Sequence, residues 1–254
     1  MQRRAFLHLS ALAAAGFSLD PADAAHFLRP APPATPPRPW PAPFDSAPVL
    51  QNPTPDGITV TTAVNSLCTA WVEYGKGAVL DQRADTSRHG LLPLSARIHT
   101  IRLQGLKPAT TYSYRIVAAP IDFQGPYKIT RGTPVSSATH TFTTLDPTRS
   151  TASLSIINDT HEVPETLKGA TSLLAANPSD LLFWNGDIFN DVRSDDQIVS
   201  QILRPADAPY AAGTPLCFVS GNHDVRGIHA RSLDSFIDTP ESRRFYTLRH
   251  GPIA

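Results

Sequence analysis

Leu216-Cys217-Phe218-Val219 runs directly into Ser220-Gly221-Asn222-His223-Asp224. An apolar run that ends in glycine and metal-competent side chains reads as a buried strand feeding a functional loop. The pattern occurs twice upstream. Leu154-Ser155-Ile156-Ile157 leads into Asn158-Asp159-Thr160-His161, and Leu181-Leu182-Phe183-Trp184 leads into Asn185-Gly186-Asp187. Open α/β sheets bind ligands beyond the carboxyl ends of their strands, and all three polar clusters sit at that end. The spacing leaves room for helices between them. Pro164 suits a first helical position, Leu167, Ala170, Leu173 and Leu174 mark one face, and Asn177-Pro178 is a stop signal. Asp196 to Leu203 is a shorter helix.

Asp159 and His161 are two residues apart, so an extended chain points both side chains the same way. A carboxylate oxygen with an imidazole nitrogen suits Mn, Fe or Zn better than Mg or Ca. Asp187 follows a glycine that lets the backbone turn sharply. Asn222 offers a neutral amide oxygen to a second metal, and His223 can donate a proton to a leaving group. Alone, D-x-H or G-D usually marks a strand end or a turn. Their order, each after a strand and completed by G-N-H-D, is what carries the metal reading. Arg226 is either a phosphate contact or an arginine on a solvated loop.

D-x-H, then G-D, then G-N-H-D resembles the calcineurin-like metallophosphoesterase family. The resemblance implies that Asp159 and His161 bind a first metal, Asp187 bridges two metals and Asn222 binds the second. His223 then contacts the phosphate and assists the leaving group. The family also uses three later histidines, one alone and two in G-H-x-H. After His229 the sequence has only His250, in Arg249-His250-Gly251, and none can be assigned. The resemblance therefore implies a truncated α/β phosphoesterase domain, residues 150–254, holding only the N-terminal part of the catalytic fold. Such a half sheet is expected to carry an open edge strand. Phe245 to Ala254 reads as a hairpin strand and its turn.

Residues 47–145 read as β. Gly57 to Thr62, Leu67 to Tyr74 and His99 to Leu103 are alternating runs rich in β-branched and aromatic residues. Leu106-Lys107-Pro108-Ala109-Thr110-Thr111-Tyr112 resembles the L-x-P-x-T-x-Y stretch of fibronectin type III-like β-sandwiches. In those domains a corner tyrosine, here Tyr112, bonds back to the backbone. His140 to Leu145 resembles the closing strand. A sandwich before a calcineurin-like domain resembles the purple acid phosphatases, with two departures. Position 161 is His where that family has Gly. Position 190 is Asn where it has the iron-binding Tyr, so no tyrosinate–iron chromophore is expected. The D-type alkaline phosphatases pair a sandwich with twin-arginine export, but their signature does not match Asn158 to Glu162.

Arg3-Arg4-Ala5-Phe6-Leu7 resembles the twin-arginine export motif. The apolar stretch Ala5 to Phe17 is too short to span a membrane, and Ala22-Asp23-Ala24 is an A-x-A-like cleavage site. Residues 1–24 are thus expected to be a signal peptide handled by the twin-arginine machinery, and the protein periplasmic or secreted, with no membrane span in the mature chain. Eleven prolines fall between residues 30 and 55, and residues 25–46 read as a semi-rigid linker. Lys and Arg total 22, as do Asp and Glu, so nothing implies nucleic-acid binding. Cys68 and Cys217 sit in apolar runs of different domains, as buried free thiols would.

Together these features imply a phosphate-ester hydrolase, monoesterase or diesterase, working through two divalent or trivalent transition metals, with in-line attack on phosphorus. From residues 1–254 alone its site is expected to be incomplete. The alternative is an exported non-catalytic binding protein, or pseudoenzyme, working through its sandwich.

Overall fold

The structure, a computed structural model, describes residues 43–253. The expected signal peptide and nearly all of the expected linker lie outside the described residues. The strands are β1 (Val49–Thr54), β2 (Gly57–Ala63), β3 (Cys68–Lys76), β4 (Gln82–Ala84), β5 (Ile98–Gln104) and β6 (Thr111–Gly125). They continue with β7 (Lys128–Arg131), β8 (Val135–Ser136), β9 (His140–Thr143), β10 (Leu154–Ile157), β11 (Leu181–Asn185) and β12 (Leu216–Val219). The helices are α1 (Pro164–Ala176), α2 (Asp195–Ile198), which runs on as a π turn (Val199–Leu203), and α3 (Leu233–Phe236).

One sheet has the order β10-β11-β12-β1-β2-β5, and the other is β4-β3-β6-β7, with β8 and β9 also on β6. The three apolar strands pair in parallel, with Ile157 opposite Trp184 and Trp184 opposite Phe218. Their carboxyl ends therefore emerge side by side. β1 is parallel to β12 on one side and antiparallel to β2 on the other. A single sheet thus runs from the phosphoesterase-like strands into the β-rich part, and residues 43–253 lie within one compact unit. The exposed edge of the parallel strands is β10, where Ile156 is 61% exposed.

Alternation explains why β2 can serve two layers. Ile58 and Val60 enter the core between the two sheets with Val72, Ile101, Leu103, Ile116 and Phe142. Thr59 and Thr61 face the other way, yet both are fully buried. Val49 and Ala63 join a second core built on Leu182, Trp184, Ile188, Phe189, Ile202, Leu216 and Phe218. Gln51 ties the two parts together. Its Nε2 donates to Phe236 O at 3.1 Å, and its Oε1 accepts from Asp238 N at 2.6 Å. The fully buried Tyr114 donates to Ala212 O at 2.7 Å. Tyr112 Oη accepts from Lys107 N at 2.9 Å, the backward bond expected of a corner tyrosine.

Helix α1 starts on Pro164 and ends before Asn177. Its buried stripe is Leu167 and Thr171, with Leu174 packed beside it. Leu173 is 66% exposed, which corrects its expected place on the core face: one residue is 100° of helical phase, enough to turn a side chain outward. The C-terminal hairpin strand is not found. Residues 245–253 form a strap with one bridge, His250 to Ile253. Tyr246 Oη donates to Phe218 O at 2.9 Å, and Asp146 N donates to His250 Nδ1 at 3.2 Å. Side chains have taken the place of ladder bonds there. Cys68 and Cys217 are buried free thiols. Among the described residues no helix is long and apolar enough to cross a membrane.

Candidate metal centre

The loops after β10, β11 and β12 are locked together by backbone bonds. Asp159 N donates to Gly186 O at 3.2 Å, His161 N to Asp187 O at 3.1 Å and Glu162 N to Ile188 O at 2.9 Å. Gly186 and Gly221 meet backbone to backbone. A Cβ on Gly186, whose φ is +75°, would lie 2.5 Å from Gly221 N, and one on Gly221 would lie 2.6 Å from Asp187 N. Only glycine permits this approach.

Four non-glycine residues here have left-handed backbones: Asp159 (φ 51°), His161 (44°), Glu162 (61°) and Asp187 (51°). The Asp159–His161 segment is therefore a tight turn and not the extended chain expected from the sequence. Each such residue costs about 1–2 kcal/mol, and strain of this kind collects at functional sites.

The turn brings His161, Asp187 and His223 together, with one ligand atom from each lying within 4.8 Å of the others. The His161 and His223 rings meet edge to face at 4.8 Å. Asp159 stands at the margin, its Oδ1 3.8 Å from His161 Nε2, with its side chain 58% exposed. Asn222, with its amide turned to satisfy both neighbours, donates to Asp187 Oδ2 at 3.0 Å and accepts from Arg226 Nη2 at 2.8 Å. The Arg226 guanidinium lies against the His223 ring, with Nη1 3.3 Å from Nδ1. His161 Nδ1 is buried and has no hydrogen-bond partner. An orphaned imidazole nitrogen beside a carboxylate and a second imidazole is a donor set that fits a transition metal. Cys217, within β12 ahead of this loop, stays a thiol, since burial pushes it up to about 12.

Residues 153–252 match the calcineurin-like phosphoesterase family. The calcineurin-like segment spans all three loops and every residue of the cluster. No curated protein sequence matches the chain. Among solved structures, a purple acid phosphatase from yellow lupin (Lupinus luteus) seeds is similar in fold, with a TM-score of 0.57 and 19% identity. That match covers 82% of this chain and 44% of the lupin chain. A structure of PhoD matches with a TM-score of 0.48 at 14% identity, over 75% of this chain and 41% of its own. The chain thus spans less than half the length of either structure.

Three residues that hold the centre were given no role by the sequence. Asp224, fully buried, accepts from Asp187 N at 2.9 Å, Ile188 N at 3.1 Å, Phe189 N at 3.4 Å and Gly221 N at 2.8 Å. Glu162 accepts from Asn190 N at 3.0 Å, Arg193 Nη2 at 2.9 Å and Gln197 Nε2 at 2.5 Å. Asn190 O takes the Nδ1 proton of His223 at 2.9 Å. The Asp of G-N-H-D was visible as a fourth polar residue. Its role was not, because three of its four donors, Asp187, Ile188 and Phe189, lie 35 residues or more away in sequence.

Proposed function

We propose that this chain carries a metal-dependent phosphoester hydrolase site, and that the cluster of His161, Asp187 and His223 is its centre. The observation that carries the reading is the convergence of these three side chains from three adjacent parallel strand ends within a calcineurin-like segment. Asp159, His161, Asp187 and Asn222 are the metal ligands in this reading. Bound transition metals supply Lewis acidity and neutralise charge on phosphate oxygens.

The chain's own residues do the rest. Asn190 O holds His223 Nδ1–H, so Nε2 is the nitrogen left for the substrate, and the ring would pass a proton from it to the leaving oxygen when both nitrogens are protonated. Arg226, anchored on Asn222 and His223, is placed to take a phosphate oxygen in a charge-assisted bond. One metal would find three protein donors in Asp159, His161 and Asp187, the number catalytic sites usually need. A second would share Asp187 and take Asn222 once that amide turned its oxygen from Arg226 to the metal, and its retention depends on further donors.

Two further parts belong to the proposal. The face-to-face sheets β1-β2-β5 and β4-β3-β6-β9, with the Tyr112 corner bond, support a fibronectin III-like sandwich. Arg3-Arg4 and Ala22-Asp23-Ala24 support twin-arginine export to the periplasm or beyond. Replacing both arginines by lysine should trap the protein in the cytoplasm, and unchanged periplasmic yield would refute export by this route.

The test of the site is metal titration of the full chain with Mn or Zn by calorimetry, alongside hydrolysis of a chromogenic phosphate ester. Wild type should bind metal, and Asp187→Asn should weaken binding at least about tenfold, as loss of a first ligand does. Equal metal affinity in the two proteins would place the site elsewhere. A protein that binds metal at Asp187 yet never hydrolyses the ester would favour the non-catalytic alternative.

A further inference from the structure

β6 outlives its sheet. β3 pairs with it only as far as Pro120, and past Ile121 its ladder partner is β7 alone. Residues 121–131 are therefore a two-stranded ribbon, covered at its base, where Ile121 is 6% exposed, and open toward its tip. Such a ribbon is marginal in water and would be expected to carry polar side chains on both faces. This one does not. Phe123 and Ile129 are direct cross-strand partners and so share a face. They are 49% and 54% exposed, and Tyr127 at the turn is fully exposed. Ile121 and Arg131 form the next pair on that face. Lys128 and Arg131 are exposed, while the one carboxylate, Asp122, is engaged by Gln124 at 2.9 Å.

We propose that this ribbon tip docks the protein on an anionic bilayer surface. Three arguments select that occupant. A protein partner normally covers about 800 Å² per side, more than a tip two strands wide with three apolar side chains provides. Interfacial insertion needs no complementary shape, only apolar and aromatic side chains at headgroup depth with cations beside them. Lys128 and Arg131, exposed and without an ion pair among the described residues, complement phosphate headgroups at a charged leaflet. The proposal stands apart from the phosphoesterase reading, since it uses none of the centre's residues.

The test is flotation of the full chain with vesicles of phosphatidylcholine alone, or mixed with an equal part of phosphatidylglycerol. Wild type should partition about tenfold more strongly into the anionic vesicles, the preference two cations can give. The triple variant Phe123→Ser, Tyr127→Ser, Ile129→Ser should lose that partition by about tenfold or more. Lys128→Glu with Arg131→Glu should abolish the preference while the apolar tip is kept. Unchanged thermal melting would show that both variants are folded. Failure of wild type to float with either vesicle would overturn the proposal, as would equal flotation of wild type and the triple variant. A dimer in solution that only the triple variant dissolves, without vesicle binding, would make a second copy the occupant.

Discussion

Asp224 Oδ2 accepts the backbone N–H of Asp187 at 2.9 Å, so one carboxylate of the centre is positioned by another that never faces solvent. The same oxygen takes Gly221 N at 2.8 Å. Asp224 is thus the clasp between the second and third loops. Replacing it with Ala leaves four backbone donors without an acceptor in a buried place. An unsatisfied buried donor costs about 1–3 kcal/mol, and loop relaxation should hold the total near 3–4 kcal/mol. Urea denaturation of Asp224→Ala should show this loss, and calorimetry should show weakened metal binding, although Asp224 is not itself a ligand in the cluster. Native-like stability would mean the clasp is dispensable.

Gly186 and Gly77 make a controlled pair. Both have positive φ, +75° and +62°, but a Cβ on Gly186 would strike Gly221, whereas one on Gly77 meets nothing within 4 Å. Gly77→Ala should therefore cost about 1 kcal/mol, the left-handed penalty alone. Gly186→Ala should cost about 2–4 kcal/mol and impair metal binding, since it also forces two loops apart. Thermal melts of both variants, with and without Mn, check this; equal losses would contradict the close approach.

Stability should fall in mild acid for a reason remote from the centre. Burial pushes the His99 imidazole below its ordinary value of 6.5, and the contact of its Nε2 with Cys68 O at 3.1 Å offsets only part of that. His250 is lowered too, first by burial and then by Arg149. Both are neutral when folded, while the unfolded chain takes up protons from about pH 6.5 downward. Their stability contribution is complete above that pH and is lost as the pH falls toward the folded values. Urea midpoints at pH 7.5 and pH 5 should differ, and the difference should shrink in His99→Gln. A midpoint unchanged between those pH values would contradict it.

What could be read from the sequence followed from local pattern. The strands ahead of Asp159, Asp187 and Asn222 are apolar runs, and Pro164 and Asn177 bound their helix as punctuation should. Choices made by distant partners were not legible. Nothing in Val49 to Thr54 says that it pairs with Leu216, which joins the two halves in one sheet. The burial of Thr59 and Thr61 has no local signal either, because part of the layer over β2 comes from Val199–Leu203. Asp159, His161 and Glu162 carry no local signal for left-handed backbone; three bonds to Gly186, Asp187 and Ile188 impose it. Nothing local says that β6 runs through Pro120 and continues to Gly125.

Asn190 decides the colour of a metal-loaded protein. In purple acid phosphatases, by the resemblance drawn from the sequence, this position is a tyrosine that binds ferric iron. Here the side-chain amide turns to the first loop, donating to His161 O at 3.2 Å and reaching Glu162 Oε2 at 3.4 Å, while the backbone carbonyl holds His223. No phenol occupies the place of the iron ligand, and the two nearest functions of the residue are structural. The protein loaded with ferric iron should therefore lack an intense tyrosinate-to-iron band in the visible. Asn190→Ala should cost about 1 kcal/mol, the scale of one net hydrogen bond, because the carbonyl contact to His223 survives the substitution. Visible absorption of the iron-loaded wild type and urea denaturation of the variant check both halves. A strong visible charge-transfer band would mean that one of the chain's six tyrosines reaches the metal and that the centre is laid out differently.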